Sequence, residues 1–188
     1  MSDAQQKTTT WSRVVMNEAC ADLVRALPYT GLDALEISGR AWRDFGFASY
    51  RGVDFPEYDI CAGPLAGRFD LVIVEQVFEH LLYPYRAGRH IHAMLRPGGW
   101  LLISVPFLVK EHDYPIDCTR WTELGLKHFL HECGFPLAAI TTDSWGNRAC
   151  VVANFAGWVV YDPAQHDLTN EPDFPYHVWA LAQKVGPE

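Results

Sequence analysis

Paired cysteines are missing from this chain. Its five, Cys20, Cys61, Cys118, Cys133 and Cys150, are odd in number, widely scattered and never spaced CxxC. Neither a disulfide framework nor a zinc ribbon is indicated, and the thiols read as small reduced hydrophobes. Basic residues are scarce: 15 Lys and Arg against 23 Asp and Glu leave a formal net charge of -8. A broad basic face for phosphate backbones is therefore not expected, nor a nucleic-acid partner. No window reaches the roughly 20 uncharged apolar residues of a spanning helix. The opening MSDAQQKTTT lacks both an apolar signal-peptide region and the Arg-rich look of a transit peptide, which makes the cytoplasm the expected location. Internal repeats and low-complexity segments are also absent.

What is there suits one globular domain over residues 1–188, with 1–10 expected to be disordered: 188 residues, 49% hydrophobic and 20% charged, are enough for a real core. Near-helical spacing of apolar residues from Trp11 to Leu27 predicts an amphipathic first helix ending at Pro28. Leu32 to Gly39 (LDALEISG) predicts a buried strand running into a tight turn, Ala48 to Val53 a second strand, and Tyr58 to Cys61 (YDIC) a faint third. Phe69 to Val74 (FDLVIV) is the clearest strand. A helix over Tyr83 to Leu95 follows, then a turn at Arg96 to Gly99 and a strand over Trp100 to Phe107 that Pro106 ends. Thr122 caps a helix from Glu123 to Cys133, which Gly134 terminates. Leu137 to Thr142 and Tyr176 to Gln183 read as the last strands, with a helix near Arg148 to Val160 between them. Asp162 to Pro175 reads as a surface loop. Alternating strands and helices imply an α/β fold, a mostly parallel sheet covered on both sides, with ligands bound beyond the carboxyl ends of its strands.

Those ends collect the polar residues: Glu36, Ser38 and Gly39 after the first strand, Asp54 after the second, Glu75 and Gln76 after FDLVIV, His112 and Asp113 after the strand that ends at Pro106. A small-residue turn lets backbone N–H groups approach a ligand, and a carboxylate after the second strand can accept two ribose hydroxyls. Together they suit a nucleoside. No GxGxxG follows the first strand, which argues against a nucleotide-dependent dehydrogenase.

In order, the segments LDALEISG, GVDF, FDLVIVEQVFEHL, MLRPGGWLLISVPF and HDYPIDCTRWTELGLKHFLHECGF resemble the class I S-adenosylmethionine-dependent methyltransferases, from about Leu32 to Phe135 and more loosely to Lys184. The loop and helix that begin at His112 are most similar to small members associated with glycan biosynthesis. The resemblance implies a Rossmann-like doubly wound sheet in three α/β/α layers with an antiparallel last strand, and S-adenosylmethionine as cofactor. Carried over residue by residue, it makes Glu36, Ser38, Gly39, Asp54, Cys61, Gln76 and Val77 the cofactor-binding set. One departure stands out: Glu36-Ile37-Ser38-Gly39-Arg40 has Ser and Arg where the family usually has two glycines. Cys61 and its neighbour Ala62 likewise replace the acid often found near the adenine.

On the acceptor side, the resemblance places His112, Asp113, Tyr114, Asp117 and Arg120 after the strand that ends at Pro106. His112 is the leading general base for a hydroxyl, with Glu75 and His80 as further catalytic candidates; Asp113, Tyr114, Asp117 and Arg120 are substrate-binding candidates. Arg120 suits a substrate carboxylate or phosphate, or a salt bridge to Asp113 or Asp117. The mixture of His112, Asp117, Cys118, His128 and His131 meets no metal-ligand spacing, so no metal is expected. The activity expected is O-methylation of a sugar or other small molecule, by a chain with no membrane span, as a monomer or a homodimer. The alternative is a non-catalytic methyltransferase-like binding or scaffold protein, with Arg40 standing in the cofactor turn.

Overall fold

The computed structural model describes residues 9–113 and 115–186. Six strands form one sheet: β1 (Asp33–Ile37), β2 (Ser49–Val53), β3 (Phe69–Glu75), β4 (Leu95–Pro106), β5 (Ile140–Trp145) and β6 (His177–Gln183). Their order is β2-β1-β3-β4-β6-β5. β6 runs antiparallel to both β4 and β5, and the remaining pairs are parallel. The chain steps from β1 to one side and returns to the other, so the topological switch lies between β1 and β3, where a ligand crevice is expected.

The helices α1 (Arg13–Arg25), α2 (Pro84–Met94), α3 (Glu123–Glu132) and α4 (Arg148–Asn154) cover the sheet. Alternation along the strands sorts the core into two halves. Val72 and Val74 join α2 and α3 on one face, with Leu101, Ile103, Val178 and Ala180. Leu71, Ile73, Leu102, Trp179 and Leu181 face the other way, against Met16, Cys20 and Val24 of α1 and Cys150 of α4. Burying each such side chain is worth about 1.5–3 kcal/mol. This is the expected three-layer α/β arrangement. No helix among the described residues is long and apolar enough to cross a membrane.

Several expectations need correction. Tyr58 to Cys61 is not a strand: the Asp59 carboxylate accepts the Cys61 N–H at 2.8 Å and the Tyr58 hydroxyl donates to the Gly63 carbonyl, so local side-chain bonds displace ladder pairing. β2 is consequently the sheet edge. The Arg96 to Gly99 turn is absorbed into β4 as an irregularity, the register shifting between Phe69 and Leu71. The helix near Arg148 ends at Asn154 rather than Val160, because the Asn154 side chain accepts the Val159 N–H at 3.1 Å and turns the chain. β5 begins at Ile140, after a 3-10 turn over Leu137–Ala139. Residues 1–8 of the expected disordered lead lie outside the described residues, whereas Thr10 is ordered by a bridge to Val160.

Candidate functional site

The turn after β1 is built on one buried carboxylate. Glu36 accepts the N–H groups of Ala41 and Trp42 at 3.0 and 3.1 Å and the Tyr50 hydroxyl at 2.6 Å. Burial, then the bond to Glu36, pushes the Tyr50 pKa up. Ser38 and Gly39 reverse the chain at φ 64 and 156. A Cβ at Gly39 would fall 2.5 Å from Glu36 Oε1, which explains why glycine is required there. The Trp42 indole N–H donates to Glu75 at 2.7 Å, tying this turn to the end of β3.

Asp54, at the end of β2, accepts the Gly39 N–H at 3.0 Å and pairs with Arg40 at 2.6 Å. The Arg40 guanidinium also donates to the Gly39 carbonyl and lies across Gly52. Both side chains of the pair are about two-fifths exposed, 40% for Arg40 and 42% for Asp54. Exposed pairs of this kind are worth about 0–1 kcal/mol, so a ligand diol can displace the guanidinium at little cost.

A cavity of about 260 Å³ opens at the carboxyl ends of β3 and β4, lined among others by Arg13, Gln76, Glu79, His80, His112 and His177. Gln76 adopts φ 55 as the chain leaves β3. Its N–H donates to the Ser104 carbonyl at 2.8 Å and its side-chain amide to the Ser104 hydroxyl at 3.2 Å. Glu79 and His80 sit on the following 3-10 turn (Phe78–His80). The Glu79 carbonyl accepts the Cys118 N–H at 2.7 Å, which docks the 112–120 loop on this turn.

In that loop Asp117 accepts the His112 backbone N–H at 2.9 Å and a two-pronged pair from Arg120. Arg120, helped by the His112 N–H and opposed by burial, holds the Asp117 pKa down at about 2. His112 Nδ1 lies 3.2 Å from Asp117 without a well-aligned hydrogen bond. Burial lowers the His112 pKa, so the imidazole is neutral near pH 7. Its ring meets His80 edge to face at 5.0 Å and Trp158 at 5.7 Å. His177 is 4% exposed, with both ring nitrogens lacking a partner among the described residues, and burial keeps it neutral.

The structure thus brings Gln76, His80 and His112 into one cavity and groups Glu36, Ser38, Gly39 and Asp54 in a neighbouring turn. Glu75 does not line the cavity: its carboxylate faces Trp42, and burial raises its pKa. Val77 is buried on the α2 and α3 face of the sheet. Cys61 points inward, its thiol against the Tyr83 carbonyl and its pKa raised by burial. Arg120 is engaged by Asp117, Asp113 is exposed, and Tyr114 lies outside the described residues. Arg13, Glu79, Trp158 and His177 were not among the predicted site residues. One signal was available for Arg13, a cation in the first turn of a helix, where the macrodipole disfavours it.

A family profile described as "Methyltransferase domain" matches residues 16–140. No curated protein matches the chain. Among solved structures, an S-adenosylmethionine-dependent methyltransferase from Mesorhizobium loti superposes with a TM-score of 0.61 at 16% identity, covering 92% of this chain and 97% of its own. The 1,6-didemethyltoxoflavin-N1-methyltransferase of Burkholderia thailandensis, with S-adenosylhomocysteine bound, gives 0.60 at 17% identity over 93% and 80%. Phosphoethanolamine N-methyltransferase 2 of Haemonchus contortus gives 0.57 at 17% over 92% and 53%. The fold implies S-adenosylmethionine, and the Ser38–Gly39 turn with the solvent-reaching Asp54 carboxylate fits it once Arg40 moves aside. With well over half of its length matched by the profile and the sheet to go with it, the chain belongs to the methyltransferase family.

Proposed function

We propose that this chain transfers a methyl group from S-adenosylmethionine to a hydroxyl oxygen of a sugar or other small molecule. The observation that carries the reading is the cavity of about 260 Å³ beside the Glu36–Asp54 turn, lined by Glu79, His80 and His112. When bound, the cofactor supplies a methyl carbon activated by a sulfonium. The chain's own part is to hold the donor, align the acceptor and manage the acceptor's proton.

On this reading Gly39 and the Asp54 carboxylate hold the nucleoside, supported by the bonds with which Asp54 and Glu36 shape the turn. At the acceptor, neutral His112 offers a lone pair, with Asp117 behind it to stabilise positive charge on the ring. Arg13 lines the same cavity and suits an acceptor that carries a negative group. The volume sits below the roughly 300–1,000 Å³ of drug-sized sites, in keeping with a cavity that takes only the reacting end of an acceptor.

The Arg40–Asp54 pair favours a second reading, a non-catalytic relative whose cofactor turn is closed by its own guanidinium. Calorimetry with S-adenosylhomocysteine separates the two. Micromolar binding supports the enzyme, and folded protein that gives no heat and no thermal stabilisation removes it. Methyl transfer to a panel of hydroxyl and amino acceptors then tests the oxygen preference; transfer to amino acceptors alone would overturn it.

A further inference from the structure

The floor of the cavity carries a carboxylate that the fold leaves without a partner. The Glu79 side chain is 1% exposed, and neither oxygen has a hydrogen-bond partner among the described residues. A buried carboxylate without a partner either takes up a proton or meets a cation. The neighbouring rings are oriented accordingly. His80 Nδ1 lies 2.5 Å from the Ile116 carbonyl. A carbonyl only accepts, so the ring proton is on Nδ1 and the Nε2 lone pair is left free. That nitrogen is 3.6 Å from Glu79 Oε1, too long for a hydrogen bond. A lone pair facing a carboxylate oxygen is a repulsive arrangement unless a positive centre sits between them.

His112 completes the group: one ligand atom from each of Glu79, His80 and His112 lies within 4.8 Å of the others. Two donors about 2.1 Å from a tetrahedral ion are about 3.4 Å apart, so the three atoms would close by up to about 1.4 Å on coordinating one. His80 also has an acceptor behind it, the Ile116 carbonyl, and the Asp117 carboxylate stands 3.2 Å from His112 Nδ1, short of an aligned hydrogen bond. Such backing orients imidazoles toward a metal and makes them better ligands. Arg120 is neutralised by Asp117, which leaves Arg13 as the unpaired cation lining the cavity among the described residues.

We propose that Glu79, His80 and His112 bind one divalent cation of the zinc class, with an open position toward the acceptor. Two imidazoles and one carboxylate match the donor preference of such ions. The consequence for methyl transfer rests on the function proposed above. An acceptor hydroxyl on the ion loses its proton to water nearer neutral pH. The oxygen's electron pair then forms the bond to the methyl carbon as the carbon–sulfur bond breaks, its pair staying on sulfur. His112 then serves as a ligand, and the proton leaves through solvent.

The test uses the full chain stripped with a chelator, then titrated with Zn2+ alone by calorimetry and with Co2+ by visible absorption. One ion per chain is expected, with cobalt bands typical of a four- or five-coordinate nitrogen and oxygen site. Glu79→Gln, His80→Ala and His112→Ala should each weaken binding at least about tenfold, whereas His128→Ala, exposed on α3, should leave it unchanged. The proposal is overturned by wild-type protein that takes up neither ion, or by affinity that survives the His80→Ala/His112→Ala double substitution. If Glu79→Gln fails to fold, His112→Ala in its partly exposed loop carries the test. S-adenosylhomocysteine is titrated in parallel. Its binding without zinc uptake removes the cation and leaves the methyltransferase reading, and zinc uptake without its binding does the reverse.

Discussion

The guanidinium of Arg40 lies 2.6 Å from Asp54 Oδ2 and occupies the carboxylate that a ribose would need. The other oxygen already accepts the Gly39 N–H at 3.0 Å. Cofactor binding must therefore replace an exposed ion pair. Because such a pair is worth at most about 1 kcal/mol, Arg40→Ala should tighten S-adenosylhomocysteine binding by up to about fivefold. Asp54→Asn should weaken it about tenfold or more, since it removes a charged acceptor. Calorimetry on both variants decides the point. Weaker binding by Arg40→Ala would make Arg40 a cofactor contact instead of a competitor.

Glu36 predicts a different pattern, in which stability and binding fall together. Glu36→Gln puts an amide NH2 against either the Ala41 N–H or the Trp42 N–H and Tyr50 hydroxyl, all of which need acceptors. Leaving one such donor buried costs about 1–3 kcal/mol, which for a chain of this size is a melting-point loss of about 2–12 °C. The Trp42–Glu75 bond depends on the same turn. Quenching of the Trp42 emission should therefore change together with the melting point. A variant that melts like the wild type would show that the turn is held by something other than Glu36.

How much of this was legible beforehand depends on how local the cause is. FDLVIV was readable because β3 is buried on both faces and needs a continuous apolar run. The strand-end positions of Glu36, Gly39 and Asp54 were readable because the same runs set them. YDIC was misread because an alternating pattern does not show that Asp59 bonds its own turn. The helix after Arg148 was overextended because its stop comes from the Asn154 side chain and not from a glycine or proline. The cavity was harder still. Arg13, Trp158 and His177 come from the start of α1, a loop and the start of an antiparallel strand, and only the sheet order brings them together. Glu79 and His80 are adjacent in sequence, but His112 joins them through the Glu79–Cys118 bond that docks its loop. No spacing rule contains that contact.

Glu79 should trade stability for its role. Burial raises its pKa from 4.5 to about 7, so the folded state holds this proton more tightly than the unfolded chain does. The cost is absent below about pH 4.5, grows as pH rises to about 7 and is constant above that. Ion-free Glu79→Gln should therefore be more stable than the wild type at pH 8, on the order of 2–3 kcal/mol, and equal to it at pH 4. Denaturant melts at the two pH values check this. Added Zn2+ should raise the wild-type midpoint more than that of Glu79→Gln.

Asp117 should give the opposite dependence at acid pH. Arg120 holds its pKa at about 2, below the ordinary 3.8, so here the unfolded chain binds the proton more readily. The stabilisation is fully present above the ordinary value and is lost as pH falls from about 4 through about 2. Asp117→Asn should remove this slope, and it should also free Arg120 and slacken the loop that carries His112. Because the Ser38–Asp54 turn is not in that loop, S-adenosylhomocysteine affinity should stay within about twofold, while the turnover rate falls at least about tenfold through misplacement of His112. Acid titration followed by tryptophan emission, together with calorimetry and initial rates, separates the two effects. Equal losses of affinity and rate would mean that Asp117 supports the whole fold and does not position His112.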